Sequence, residues 1–193
     1  MDNGTLALVL GPLVALLPVF VWELGIKPWR TRRNVAKLLC AEIQWNVAEL
    51  ATLHEFLSTG ATGIPRGRVY TRVAFDALTP VMGELPPEVA EKTLRFYAEF
   101  GRIEHTIDGI EELRARARDA DAPEKARLGN AVAMGMRALE QTASGTIDSG
   151  LAARDALAPL LESAWETIPI RPMTRTQFED RAREHVARIR GVS

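Results

Sequence analysis

The sequence predicts an all-α protein: an N-terminal single-pass transmembrane helix followed by an up-and-down antiparallel bundle of four to five helices. Three observations lead there. Residues Gly4 to Trp22 carry no charge. Beyond them, apolar residues recur at three- and four-residue steps, the period of a helix with one buried face. No stretch alternates with period two between turn signals, as strands do. This divides the chain into a short extracytoplasmic end (1–4), a membrane helix (5–26), a bundle (27–168), and an extended linker with a C-terminal amphipathic helix (169–193).

The membrane helix comes first. Its 19 uncharged positions span about 28 Å as a helix, close to the hydrocarbon thickness of a bilayer. Eleven of them are Leu, Val or Phe, each favouring insertion. Pro12 and Pro18 kink the run, which lipid-spanning helices tolerate. A cleaved secretion signal fits worse. It needs a basic start and a small-residue cleavage site, and here the flanks are Met1-Asp2-Asn3 and Phe20-Val21-Trp22-Glu23-Leu24. Lys27, Arg30, Arg32, Arg33 and Lys37 follow the run, with no acid between Glu23 and Glu42. By the positive-inside rule the N-terminus lies outside and the remainder in the cytoplasm, at the inner (plasma) membrane. Trp22, Lys27, Trp29, Arg30, Arg32 and Arg33 are the expected membrane-interface residues, with anionic lipid headgroups their expected partners.

A long helix is expected over about 31–58, with Val35, Leu39, Ile43, Val47, Leu50, Leu53, Phe56 and Leu57 as its apolar stripe. Gly25 and Pro28 argue for a bend between it and the membrane helix. Three glycines and a proline in STGATGIPRGR break it. A shorter helix over about 69–82 presents Val69, Val73, Ala77, Leu78 and Val81, and GELPP stops it. Pro86-Pro87 opens the next, whose Phe96, Phe100, Ile103, Ile107 and Ile110 form a heptad seam running to about Arg118. DADAP interrupts. A helix from Pro123 then carries Leu128, Val132, Gly135, Leu139 and Thr142, a seam of small groups that admits close packing. SGTIDSG reads equally as a loop or a weak helical stretch. Another helix runs over roughly 151–167 with Leu157, Leu160, Leu161, Ala164 and Ile168 on one side, and Pro159 kinks it or marks its start. IPIRP is extended. Thr176 and Glu179 form a capping box for a last helix to about Arg190, with a thin apolar face of Phe178, Ala182, Val186 and Ile189 and an arginine-rich outside.

Composition narrows the partners. Net charge is −1, and without Asp2 and Glu23 the remainder is about +1, which gives no field for nucleic acid. One cysteine, Cys40, excludes an internal disulfide. Arginine far outnumbers lysine and alanine is abundant, which points to a GC-rich bacterial genome.

Chemistry-bearing patterns are sparse. His54, His105 and His185 are isolated, and neither H-E-x-x-H nor E-x-x-H occurs, so no metal and no cofactor are expected. Glu104 and His105 fall away from their helix's seam and should face solvent. TGATGIPRG lacks the strand and the GK[ST] of a phosphate loop. Cys40, close to the membrane, reads as a packed thiol, with palmitoylation the alternative. The polar position of most interest is Asn46, near the centre of the first stripe, with Glu42 and Glu49 on one edge of it. Glu42, Asn46 and Glu49 are therefore the candidate buried polar contact. Tyr70, Arg72, Asp76 and Arg102 are Asn46's expected partners, and a contact that fixes register is the favoured role.

Three function classes are compatible. The first is a membrane-anchored scaffold or adaptor acting through a protein partner or as a homo-oligomer. The second is an anchored sensor or effector in bacterial signalling, stress or phage defence. The third, least favoured, is a membrane-bound enzyme using Glu42, Asn46 and Glu49.

Overall fold

The computed structural model describes residues 27–60, 63–64, 70–161 and 174–189. The expected membrane run, Trp22 and the linker up to residue 173 lie outside these. The described residues form five α-helices and one 3-10 helix: α1 (Lys27–Ser58), α2 (Val73–Leu78), the 3-10 helix (Thr79–Glu84), α3 (Pro87–Asp119), α4 (Ala122–Leu161) and α5 (Arg175–Ile189). None of these helices is long and apolar enough to cross a membrane.

The bundle is organised around α4, against which both α1 and α3 pack. Val47 approaches Gly150 while Leu57 lies beside Val132, so α1 runs antiparallel to α4. Ile110 approaches Gly135 while Glu99 accepts a hydrogen bond from Ser149, so α3 is antiparallel to α4 as well. α1 and α3 are therefore parallel to each other. Gly150 is needed where all three meet: a Cβ there would come within 2.5 Å of Val47 Cγ2 and 2.8 Å of Phe96 Cε2.

The stripes of α1 and α3 build the core. Val35, Leu39, Ile43, Val47, Leu50, Leu53 and Leu57 are buried from α1, and Phe96, Phe100, Ile103 and Ile110 from α3. Pro87 sits in the first turn of α3, where its missing N–H is harmless. The Asp121 side chain accepts from Glu124 N–H at 2.9 Å at the start of α4.

Four expectations need correction. The helix expected over 69–82 is a six-residue α-helix continued as a 3-10 helix, with Pro80 in the latter's first turn. It is too short to span the bundle, and Val73, expected inside, is 77% exposed; Phe75, Met82 and Leu85 point inward instead. The helices expected from Pro123 and over 151–167 are one, and of the two readings of SGTIDSG the weak helical stretch holds, because α4 continues through it and through Pro159. Packing overrides the weak propensity: Thr146, Ile147 and Gly150 are all buried. α1 starts at Lys27, ahead of the expected boundary, with Pro28 in its first turn. Finally, the capping box of α5 is formed by Thr174 and Gln177, not Thr176 and Glu179. Thr174 N–H donates to Gln177 Oε1 at 2.9 Å and Gln177 N–H to Thr174 Oγ1 at 3.3 Å, while Glu179 pairs with Arg175.

Candidate functional site

α1 and α3 make little direct backbone contact, and residues 70–86 lie in the crevice between them as a strap. Aromatic side chains line the floor. Phe75 of α2 stacks on Tyr97 of α3 with ring centres 3.9 Å apart, and Tyr70 meets Phe100 edge-on at 5.2 Å.

α1 holds the strap through its backbone. Helical spacing places Glu42 and Asn46 one turn apart on the side of α1 facing the crevice. Both are buried. Asn46 pairs with both backbone groups of one residue: its Nδ2 donates to Thr71 O at 2.7 Å and its Oδ1 accepts from Thr71 N–H at 3.1 Å. Glu42 accepts four hydrogen bonds. They come from Tyr97 Oη at 2.6 Å, Ala74 N–H at 2.7 Å, Phe75 N–H at 3.1 Å and Thr71 Oγ1 at 3.3 Å.

Two of those donors are first-turn amides of α2, whose N-cap residue Arg72 makes no side-chain cap bond. Glu42 thus caps α2 from another helix. A carboxylate there is favoured by the amide dipoles and satisfies groups that burial would otherwise strand. Burial, then the bond to Glu42, raises the Tyr97 phenol well above its ordinary pKa, so it remains a neutral donor.

Beside this clamp, Arg72 lies over the Phe75 ring at 5.4 Å, with its terminal nitrogens 3.8 Å from Asp76 and 3.9 Å from Glu104. Its Nε is buried without a hydrogen-bond partner among the described residues. Glu104, expected in solvent, is half-buried. Burial raises its carboxyl pKa, Arg72 pulls it down, and Asp108 and Asp76 push it up. His105 is exposed, as its position off the seam implies.

The expected trio is divided. Glu42 and Asn46 share the clamp, whereas half-buried Glu49 lines a groove of 460 Å³ between α1 and α5, with Gln44, Trp45, Phe178 and Arg181. Asn46's partner is none of the four expected side chains but the Thr71 backbone. Thr71 and Tyr97 were not singled out in the sequence. The available signal was that a buried carboxylate and amide require donors, and a tyrosine beside an aromatic seam supplies one.

With four donors on it, Glu42 has its acceptor capacity committed to holding the strap. Cys40 is buried, and burial raises its thiol pKa, against a pull from Arg154 and a further push from Asp155. That covered, protonated thiol is poorly placed for acylation. Among the described residues no three of His, Cys, Asp and Glu converge as a metal-ligand set.

The expected interface residues fall on the first turns of α1, apart from Trp22. Lys27 opens the helix, Trp29 is 48% exposed, and Arg30 and Arg32 are exposed. The Arg33 guanidinium sits 5.6 Å over the Trp29 ring. No protein-family model, no curated protein and no solved structure matches this chain.

Proposed function

We propose that this chain is a non-enzymatic interaction protein: a helical bundle tethered by residues 5–26 to the inner (plasma) membrane, with its N-terminus outside, its bundle in the cytoplasm, and a protein partner or second copy as its target. One observation carries the reading. The uncharged run Gly4–Trp22 leads within five residues into α1, whose first turns hold Trp29, Arg30 and Arg32 in solvent at the level where headgroups would lie. The clamp adds support, because the polar groups nearest to a catalytic set, Glu42 and Asn46, are engaged in holding the protein's own strap.

Two experiments test it. The full chain should float with membranes, resist an alkaline carbonate wash and light a C-terminal fluorescent reporter; release by the wash, or activity of a C-terminal alkaline phosphatase in the periplasm, overturns the tether or its orientation. Crosslinking in native membranes should trap a specific partner or a homo-oligomer. A strictly monomeric, partnerless chain removes the interaction role.

A further inference from the structure

The outward side of α1 has the wrong chemistry for a face that meets only water. Arg30, Asn34, Lys37, Leu38, Ala41 and Trp45 fall within about 100° of one another around the helix. That wedge lies opposite the stripe that enters the core. Leu38 is 53% exposed and Trp45 52% exposed, and both sit where a solvated helix usually carries charge. On the N-terminal side of Trp45 the exposed charge is of one sign, while half-buried Glu49 lines the groove beside Trp45 itself. From Lys27 to Ala41 α1 contains five cations and no anion, and its first acid, Glu42, is buried in the clamp. Exposed Arg181 of α5 shares a groove with Trp45 and extends the basic rim. α3 differs: its exposed side mixes Glu88, Glu91 and Asp108 with Arg95, Arg102 and Arg116.

We propose that this face of α1 lies against an anionic phospholipid surface, so that the bundle docks side-on to the bilayer. The inference rests on the tether proposed above and adds the orientation. An interfacial helix buries its aromatic and leucine side chains at the boundary of headgroup and acyl chain while flanking cations meet lipid phosphates, and this wedge offers both. The geometry makes the two orientations distinguishable. With α1 upright, Trp45 stands about 27 Å beyond Lys27, farther than a Debye length from the surface. With α1 lying flat, the Trp45 ring enters the interface.

The test uses the full chain with Trp22, Trp29 and Trp165 changed to phenylalanine, leaving Trp45 as the reporter. It is reconstituted in vesicles of phosphatidylcholine with or without phosphatidylglycerol, some lipids carrying brominated acyl chains. Bromolipid should quench Trp45 in the anionic vesicles. Lys37→Gln should lower the ratio of docked to undocked chain about fivefold, and added salt should lower it further. A control moves the reporter to the far side, as Trp45→Phe with Met134→Trp, and should escape quenching. If Trp45 in floating vesicles is as open to aqueous acrylamide as the tryptophan at 134, the docking is overturned and the tether stands. If Trp45 is shielded from both quenchers and copies crosslink through this face, a second copy covers it and lipid docking is likewise overturned. A chain that fails to float removes the tether and the docking together.

Discussion

The strap over residues 70–86 and helix α5 each cover one flank of α1, and they do so by opposite means. The strap is held from within. A buried carboxylate and a buried amide grip its backbone, and Phe75 stacks on Tyr97 beneath. α5 is held from outside. Among its described side chains Phe178 and Ala182 are buried, and Arg175 reaches Asp148 of α4 and Glu179 of its own helix from a half-exposed position. Every polar group in the clamp depends on the others, because losing one leaves its partners unsatisfied in a largely buried crevice. The ion pairs of α5 can exchange their partners for water. The strap is thus pinned by buried polar bonds, whereas α5 rests on an apolar contact with the core and on solvent-exposed ion pairs.

The sharpest way to break this contrast is Glu42→Ala, which strands the Tyr97 hydroxyl and the Ala74 and Phe75 amides. It should lower stability by about 3–5 kcal/mol in urea unfolding. A loss below about 1 kcal/mol would mean that water replaces the carboxylate and the crevice is not dry. Tyr97→Phe removes one bond to a charged acceptor and should lose about 1.5–3 kcal/mol near neutral pH. This variant also carries a pH signature. The folded-state phenol pKa is raised, so its contribution is whole below the unfolded value near pH 10 and is lost as pH climbs above it. The wild type should therefore lose stability more steeply above pH 10 than Tyr97→Phe, and parallel curves would sink the assignment.

Phe178→Ala should shift global unfolding by less than about 1 kcal/mol while amide exchange in α5 accelerates and that of residues 42–50 does not. Loss of protection in both would make α5 part of the same cooperative unit. Arg175→Gln should have the smallest effect, about 0.2–1 kcal/mol on the docking of α5 and fading with salt, as expected of an ion pair near the surface.

Much of the helical frame could be read from the sequence because a buried face repeats. The α1 stripe and the α3 seam enter the core nearly as spaced, with Phe56 and Ile107 only partly covered. Punctuation was less reliable. SGTIDSG has the composition of a loop, yet Gly150 sits in α4 because Val47 and Phe96 leave no room for a side chain. Local propensity cannot report that kind of constraint. The strap shows another limit. The helical wheel puts Glu42 and Asn46 one turn apart, but their main partners are amides and a carbonyl of residues 71–75, and a backbone group leaves no mark in residue identity. Glu49 shares Glu42's edge of the wheel two turns further on, but there the neighbour is α5 rather than the strap. Angular position around a helix says nothing of what packs at each height along it.

The parallel placement of α1 and α3 on either side of α4 has a consequence for synthesis. α3 and α4 are consecutive and joined by two residues, so their hairpin can close from local contacts as soon as both have left the ribosome. α1 is made first, but Val47 meets Gly150, which is made much later. Until then Leu39 and Ile43, further toward the start of α1, have no stretch of α4 to cover them, and a chain stopped before Gly150 presents that bare surface to chaperones and proteases.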